Sequence, residues 1–261
     1  MKRRKVYFPS LLLLSAALML FLLPILAVLF FSIVKMQDGK LLVSVEEYRI
    51  MLQDEWLMRH FANSGIISIG TMMVQLPLSL CLALFLSRGR GKARVIVIGL
   101  LILMLLMPFQ TYMLPLFQLY KWLGLYDTHV GLILYGGLSS LGALLLTFFI
   151  RSIPEEQWEA ASMETSSILR ITWKVILPQI IPALVILLLL SFAEAWNLVE
   201  PAIILLDHDE LRPVSVSLND FHEVSWAGAA LYAMPVIVLY IGMLLIVRGR
   251  KGDGWAIDIF D

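Results

Sequence analysis

Residues 11–34 carry no charged side chain, and a helix of that length is long enough to cross a hydrocarbon core, which takes about 20 apolar residues. Lys2, Arg3, Arg4 and Lys5 precede the run, as they would in a secretory signal. The run exceeds the roughly 7–15 residues of a signal core, however, and no small-residue cleavage site follows before Lys35. It is therefore expected to be a retained first span. Further apolar runs at 61–86, 95–113, 130–150, 179–206 and 229–247 extend the pattern. The fold class expected from it is an all-α membrane protein with six transmembrane helices, organised as a single transmembrane domain over 1–261. At 60% hydrophobic and 15% charged residues, against roughly 25% charged in soluble domains, composition agrees.

The formal net charge is zero, yet the basic residues are unevenly placed. With both termini cytoplasmic, the inner segments hold Lys2 to Lys5, Arg88, Arg90, Lys92, Arg94, Arg151, Arg170, Lys174, Arg248, Arg250 and Lys251. The outer ones hold Lys35, Lys40, Arg49, Arg59, Lys121 and Arg212. Positive charge prefers the inner side, so this orientation is the expected one. Residues 46–58 read as a surface helix. Residues 114–128 are too interrupted to cross, and Tyr112, Tyr120, Trp122 and Tyr126 read as an interfacial aromatic belt.

Catalytic signatures are missing from the chain. Neither HExxH nor GxSxG occurs, and a lone Cys81 allows no internal disulfide. Gly89-Arg90-Gly91-Lys92 lacks the first glycine of a phosphate loop, and Ala93 stands where Ser or Thr is required. His60, His129, His208 and His222 lack ligand-like spacing, so no metal site is expected. Glu194, Asn197 and Glu200 lie three apart at the end of the fifth run. Ionisable groups at membrane depth usually face a polar path, and these three are candidates to line one stripe of it. An enzyme using the two carboxylates would need a nucleophile or cofactor motif beside them.

Between the fourth and fifth runs lies the longest polar interruption of the second half, 153–182. Ser152, Pro154, Glu155 and Glu156 read as a capped start of a helix reaching about Met163. Thr165 to Ser167 read as a turn, and a second helix over 168–177 is expected to stop at Pro178. Within this loop, Glu159-Ala160-Ala161 is followed after three residues by Thr165, then after nine by Val175-Ile176-Leu177-Pro178. The spacing resembles the EAA motif of the inner-membrane permease subunits of binding-protein-dependent ABC importers. Thr165 stands where that motif has Gly, and Val175 where it has Ile. A glycine there suggests unusual backbone angles, so the turn is expected to differ, with Ser166 or Ser167 capping the second helix. Asn63-Ser64, Ser191-Phe192, Trp196-Asn197, Pro201, Trp226-Ala227-Gly228-Ala229 and Pro235 are similar to the carbohydrate, maltose-transporter-like type.

The resemblance implies a coupling-helix pair over 153–178 that docks on an ATPase subunit. Trp158, Glu159, Ala160, Ala161, Glu164, Thr165, Leu177 and Pro178 are its site residues, with Trp158, Ala160 and Ala161 as the apolar contact face. It further implies a second permease subunit, two ATPase subunits that hold the ATP and Mg, and an external solute-binding protein. The segment 207–225 would lie toward that binding protein, and the solute would be a sugar or oligosaccharide. No cofactor in this chain and no nucleic-acid partner are implied. The tail 249–261 departs from the basic, glycine-containing tail of maltose-type subunits. Export, or service in a sensory complex, is the alternative within the superfamily.

Overall fold

The structure is a computed structural model that describes residues 8–37, 40–89, 91–220 and 226–250. The basic N-terminal cluster, His222 and the acidic tail beyond Arg250 lie outside the described residues. In chain order the elements are α1 (Phe8–Ile33), β1 (Val34–Gln37), β2 (Lys40–Val43), α2 (Glu46–Gln53), α3 (Glu55–Arg88), α4 (Lys92–Leu106) and α5 (Phe109–Leu123). They continue as α6 (His129–Gly137), α7 (Ser140–Arg151), α8 (Glu155–Glu164), α9 (Ile168–Ile171), a π turn (Thr172–Ile176) and α10 (Leu177–Trp196). The last are α11 (Glu200–Leu205), a 3₁₀ turn (Asp209–Leu211), α12 (Val214–Asp220) and α13 (Trp226–Arg250). Among the described residues, five helical stretches are long and apolar enough to cross a membrane, and six if the bent pair α4–α5 makes one span.

The chain divides into two compact units. The first comprises Met1–Met58 and Leu218–Pro235. In it β1 and β2 form an antiparallel hairpin with Val34 opposite Val43 and Gln37 opposite Lys40, an element that the sequence reading did not anticipate. Tyr48 on α2 donates to Ser32 Oγ at 2.7 Å, and Ser32 donates in turn to the Leu29 carbonyl at 2.8 Å. Phe31 packs on Trp226 at 5.4 Å between ring centroids. Gly228 leaves room for Met51, whose Cε would lie 2.8 Å from a Cβ at that position.

The second unit holds Arg59–Ser217 and Val236–Asp261. Its helices meet over small residues, which let backbones approach closely where lipid supplies no hydrophobic drive. Gly136 receives Thr71, and Gly142 receives Ser79, Gln75 and Leu187. One core joins Ala83, Leu146, Ile150, Ile153, Trp158, Ile176, Ile180 and Leu187, and another joins Ile67, Tyr120, Leu132, Ala202, Leu205 and Val216.

Three breaks depart from unbroken spans. α4 and α5 meet at 104°, because Met107 before a proline is extended and Pro108 has no N–H with which to continue α4. Residues 114–123 lie in the helix α5 beyond that bend. Of the expected aromatic belt, Tyr120 is core, Tyr112 bonds Tyr135, and Tyr126 packs edge-on against Phe117; Trp122 is 81% exposed. α6 and α7 part at Leu138 and Ser139. α10 ends at Trp196, and the side chain of Asn197 just beyond it donates to the Ala193 carbonyl at 2.7 Å.

Candidate functional site

α8 starts at Glu155 with Pro154 as its N-cap, and no side chain caps it. Ser152 takes no part, because its hydroxyl donates back to the Phe149 carbonyl at 2.7 Å. Glu155 and Glu156 in the first turn complement the positive helix end instead. Residues three apart share a helix face, so Trp158 and Ala161 point together, and they point inward. They are 7% and 8% exposed, in the core with Ile153, Ile171 and Ile176. The Arg88 guanidinium covers the Trp158 ring, 3.5 Å from its centroid. The opposite face presents Glu159, Ala160, Met163 and Glu164. The expected contact face of Trp158, Ala160 and Ala161 is thus divided. Ala160 faces outward, while Trp158 and Ala161 anchor the helix to its own bundle.

Thr165 closes α8 in extended backbone, φ −155° and ψ 139°, which any residue adopts. No glycine-type angle is needed, so threonine fits at no backbone cost. Its hydroxyl accepts from the Ser167 N–H at 3.3 Å, and its own N–H donates to the Ala161 carbonyl at 3.1 Å. Ser167 is the N-cap residue of α9 but makes no side-chain cap, in contrast to the expected serine capping. The second helix also does not stop at Pro178. The Leu177 N–H reaches five residues back to the Thr172 carbonyl, and Pro178 falls in the first turn of α10 just beyond that π turn. Gln179 adds a side-chain bond to the Val175 carbonyl at 3.0 Å. A proline at a helix start lacks an N–H that would be unpaired anyway, so α9, the π turn and α10 run on as one rod, Ile168–Trp196. Leu177 and Pro178 sit half-buried inside it, and Leu169 and Trp173 are 70% and 71% exposed.

At the far end of the rod, Glu194, Asn197 and Glu200 are all exposed. They do not form one helical stripe, because α10 ends before Asn197 and Glu200 opens α11. Gln110 of α5 donates to Glu200 at 2.9 Å. Trp196 is core, stacked on Phe192 at 5.4 Å and 17°.

The loop after α11 is held by groups to which the sequence reading gave no such role. Asn63 donates to the Glu210 and Arg212 carbonyls at 2.7 and 3.1 Å, and Ser64 accepts from the Val214 N–H at 2.9 Å. His60 and His129 bond the carbonyls of Asp209 and Leu211. Asp127, left-handed at φ 59°, accepts from the Asp207 and His208 N–H groups at 2.9 and 3.1 Å and pairs with the His208 imidazole. Burial pushes the Asp127 carboxyl up, but the bonds from His208 and Asp207 outweigh it and hold the group below its ordinary range. The bond to Asp127, with its charge, raises the His208 imidazole. Histidines here clamp a loop, and among the described residues no group of three His, Cys, Asp or Glu could hold a metal ion. Asp127 carried no signal beyond its place between two aromatic-rich segments, and Arg88 read only as one more inner-side charge.

Residues 75–252 match the family model described as "Binding-protein-dependent transport system inner membrane component". The chain is 30% identical over 155 residues to a probable ABC transporter permease protein of Pyrococcus horikoshii, covering 55% of this chain and 56% of that protein. It is 28% identical over 200 residues to a probable ABC transporter permease protein of Bacillus subtilis, covering 73% of this chain and 67% of the other. It is 26% identical over 188 residues to an arabinooligosaccharides transport system permease protein of Halalkalibacterium halodurans, covering 69% and 67%. The chain therefore spans little more than half the length of the first of these relatives. Its fold is similar to that of a chain in the crystal structure of a bacterial ABC transporter involved in the import of the acidic polysaccharide alginate, with a TM-score of 0.78 and 23% identity over 94% of this chain and 98% of that one.

Proposed function

This chain belongs to the family of binding-protein-dependent transport system inner membrane components, and we propose from that membership that it is one of two permease subunits of an ABC importer, with both termini in the cytoplasm. Its partners are then a second permease subunit, two ATPase subunits and an external solute-binding protein. ATP and Mg sit on the ATPases, not on this chain. The solute is a sugar or oligosaccharide, a reading supported by the transport roles in the names of several relatives.

The observation that carries this reading is the two-faced helix α8. Glu159, Ala160 and Met163 face away from the bundle, with Met163 83% exposed, while Trp158 and Ala161 fix the same helix to the core. A helix held this way passes a push from a docked partner to the bundle, because Ile171 and Ile176 of the rod share its core. Movement of the loop would carry the rod and so re-aim Glu194 at the other end, as alternating access requires.

The test is to purify the native complex from membranes, identify its chains and assay uptake of labelled oligosaccharides in proteoliposomes. Co-purification with an ATPase and ATP-dependent uptake of a sugar are expected. A chain that purifies without any ATPase, or a complex that moves no sugar, overturns the proposal.

A further inference from the structure

At the bend between α4 and α5, the first turn of α5 brings together groups that the coupling reading does not use. Gln110 donates to Glu200 at 2.9 Å. Two residues on, the Tyr112 hydroxyl bonds the Tyr135 hydroxyl of α6 at 3.2 Å. Phe109 stands edge-on to both tyrosines, at 5.5 and 5.7 Å between centroids. Phe109, Gln110 and Tyr112 share the first turn of α5, so the amide, the carboxylate and the aromatic trio make one neighbourhood. Gln110 and Glu200 are exposed, and the three rings are half-buried.

Depth follows from helix rise. α4 has 15 residues and climbs about 22 Å from the inner-side loop before the bend. Tyr135 lies six residues inward of His129, about 9 Å from the other end. Both place the cluster in the outer part of the apolar layer, where an exposed carboxylate is costly unless it meets water or a polar partner. Hydrogen-bonding to Gln110 uses one carboxylate oxygen, and the other oxygen and the amide carbonyl can accept from hydroxyl groups. Two phenol hydroxyls donate as well as accept, and half-buried rings offer apolar faces to the C–H side of a sugar. No cation stands in this set, so it suits a neutral solute and repels an anionic one.

We propose that Gln110, Tyr112, Tyr135 and Glu200 form a water-exposed recognition site in this chain for a neutral, polyhydroxylated solute, with Glu200 excluding polyanions from the path. The inference rests on the permease reading above and adds that this subunit itself touches and sorts the solute.

The test uses the full complex with its native partners in proteoliposomes, with Cys81→Ser removing the native thiol and Gln110→Cys as the reporter. Thiosulfonate reagents of opposite charge, one carrying an ammonium and one a sulfonate, are added in water. The ammonium reagent is expected to react about tenfold faster or more, since a cleft lined by one sign of charge concentrates the other. Glu200→Gln should collapse that ratio and Glu200→Asp should keep it. Raffinose, stachyose or glucose at tens of millimolar should slow the labelling. A cysteine that neither reagent reaches shows the cluster covered by protein or lipid and overturns the proposal. Equal rates for the two reagents overturn the charge selection, and labelling that no sugar slows overturns recognition. If Gln110→Cys does not reach the membrane, Tyr112→Cys carries the same reporter. Failure of the permease reading is seen separately, as a chain that labels as expected yet purifies without ATPases.

Discussion

The guanidinium of Arg88, in the last turn of α3, lies 3.5 Å from the centroid of the Trp158 ring on α8. The indole belongs to the core and carries a cation over its ring, so α8 is held to the end of a membrane helix by a side chain as well as by its loop. A cation–π contact at an exposed site is worth about 0.5–1 kcal/mol. Arg88→Ala should therefore raise amide exchange across 155–164 about two- to fivefold, with Arg88→Lys restoring most of the protection. Unchanged exchange in Arg88→Ala would show the contact to be idle.

The two faces of α8 should fail in different ways. Trp158→Ala removes a buried aromatic and should cost about 3–5 kcal/mol, seen as a lower unfolding temperature together with lost transport. Glu159→Lys changes an outward group, and should leave unfolding and membrane insertion unchanged while abolishing substrate-stimulated ATP hydrolysis. If Glu159→Lys transports normally, α8 is not the docking element.

Gln75 is 1% exposed, and neither atom of its amide has a hydrogen-bond partner. Thr71 and Ser191 carry buried hydroxyls in the same condition. An unpaired buried polar group costs about 1–3 kcal/mol, and an apolar group of similar shape removes that cost. Gln75→Leu should accordingly raise stability by about that amount in detergent thermal unfolding. A comparable loss of stability would mean that the amide finds partners in the protein as it exists in solution.

The Asp127 and His208 pair sets a pH window. Asp127 is held below its ordinary 3.8, so its contribution is present above that value and fades as pH falls through the lowered one. His208 is raised above its ordinary 6.5, so its contribution is complete below 6.5 and fades as pH rises through the raised value. Amide protection in 207–211, taken relative to the intrinsic exchange rate at each pH, should be greatest between these two limits and fall on both sides. His208→Gln should remove the alkaline limb, and Asp127→Asn should raise exchange throughout. A flat profile in the unmutated protein would remove the clamp from the account.

Much of the architecture could be read from the sequence, because a charge-free run such as 11–34 has few ways to be folded. The helix breaks were harder. Pro108 and Pro178 are the same residue type, yet Pro108 ends a helix and turns the chain, while Pro178 sits inside a rod that a π turn keeps continuous. Side-chain periodicity does not distinguish those outcomes, since the backbone bonding around each proline decides them. The hairpin had a legible signal in Asp38-Gly39, the dipeptide favoured in two-residue connections, flanked by short runs of strand-compatible residues. The inward turn of Trp158 could have been read from its three-residue spacing to Ala161. That spacing says only that the two share a face, however, and which face is buried depends on Ile153 and Ile176 arriving from elsewhere.

The π turn at Thr172–Ile176 bears on how such chains can change by descent. A π turn takes in one residue more than an α turn, and one residue corresponds to about 100° of rotation about the axis. Loss of a single codon in that stretch would let the same turn close as plain α-helix and leave Glu194 close to its present direction, whereas closing the turn to α with every residue kept would swing Glu194 about 100° relative to Ile168. The wide turn therefore takes up one residue of length between the loop and the outer half of the rod, so that a one-residue change there alters the turn and spares the alignment of the two ends.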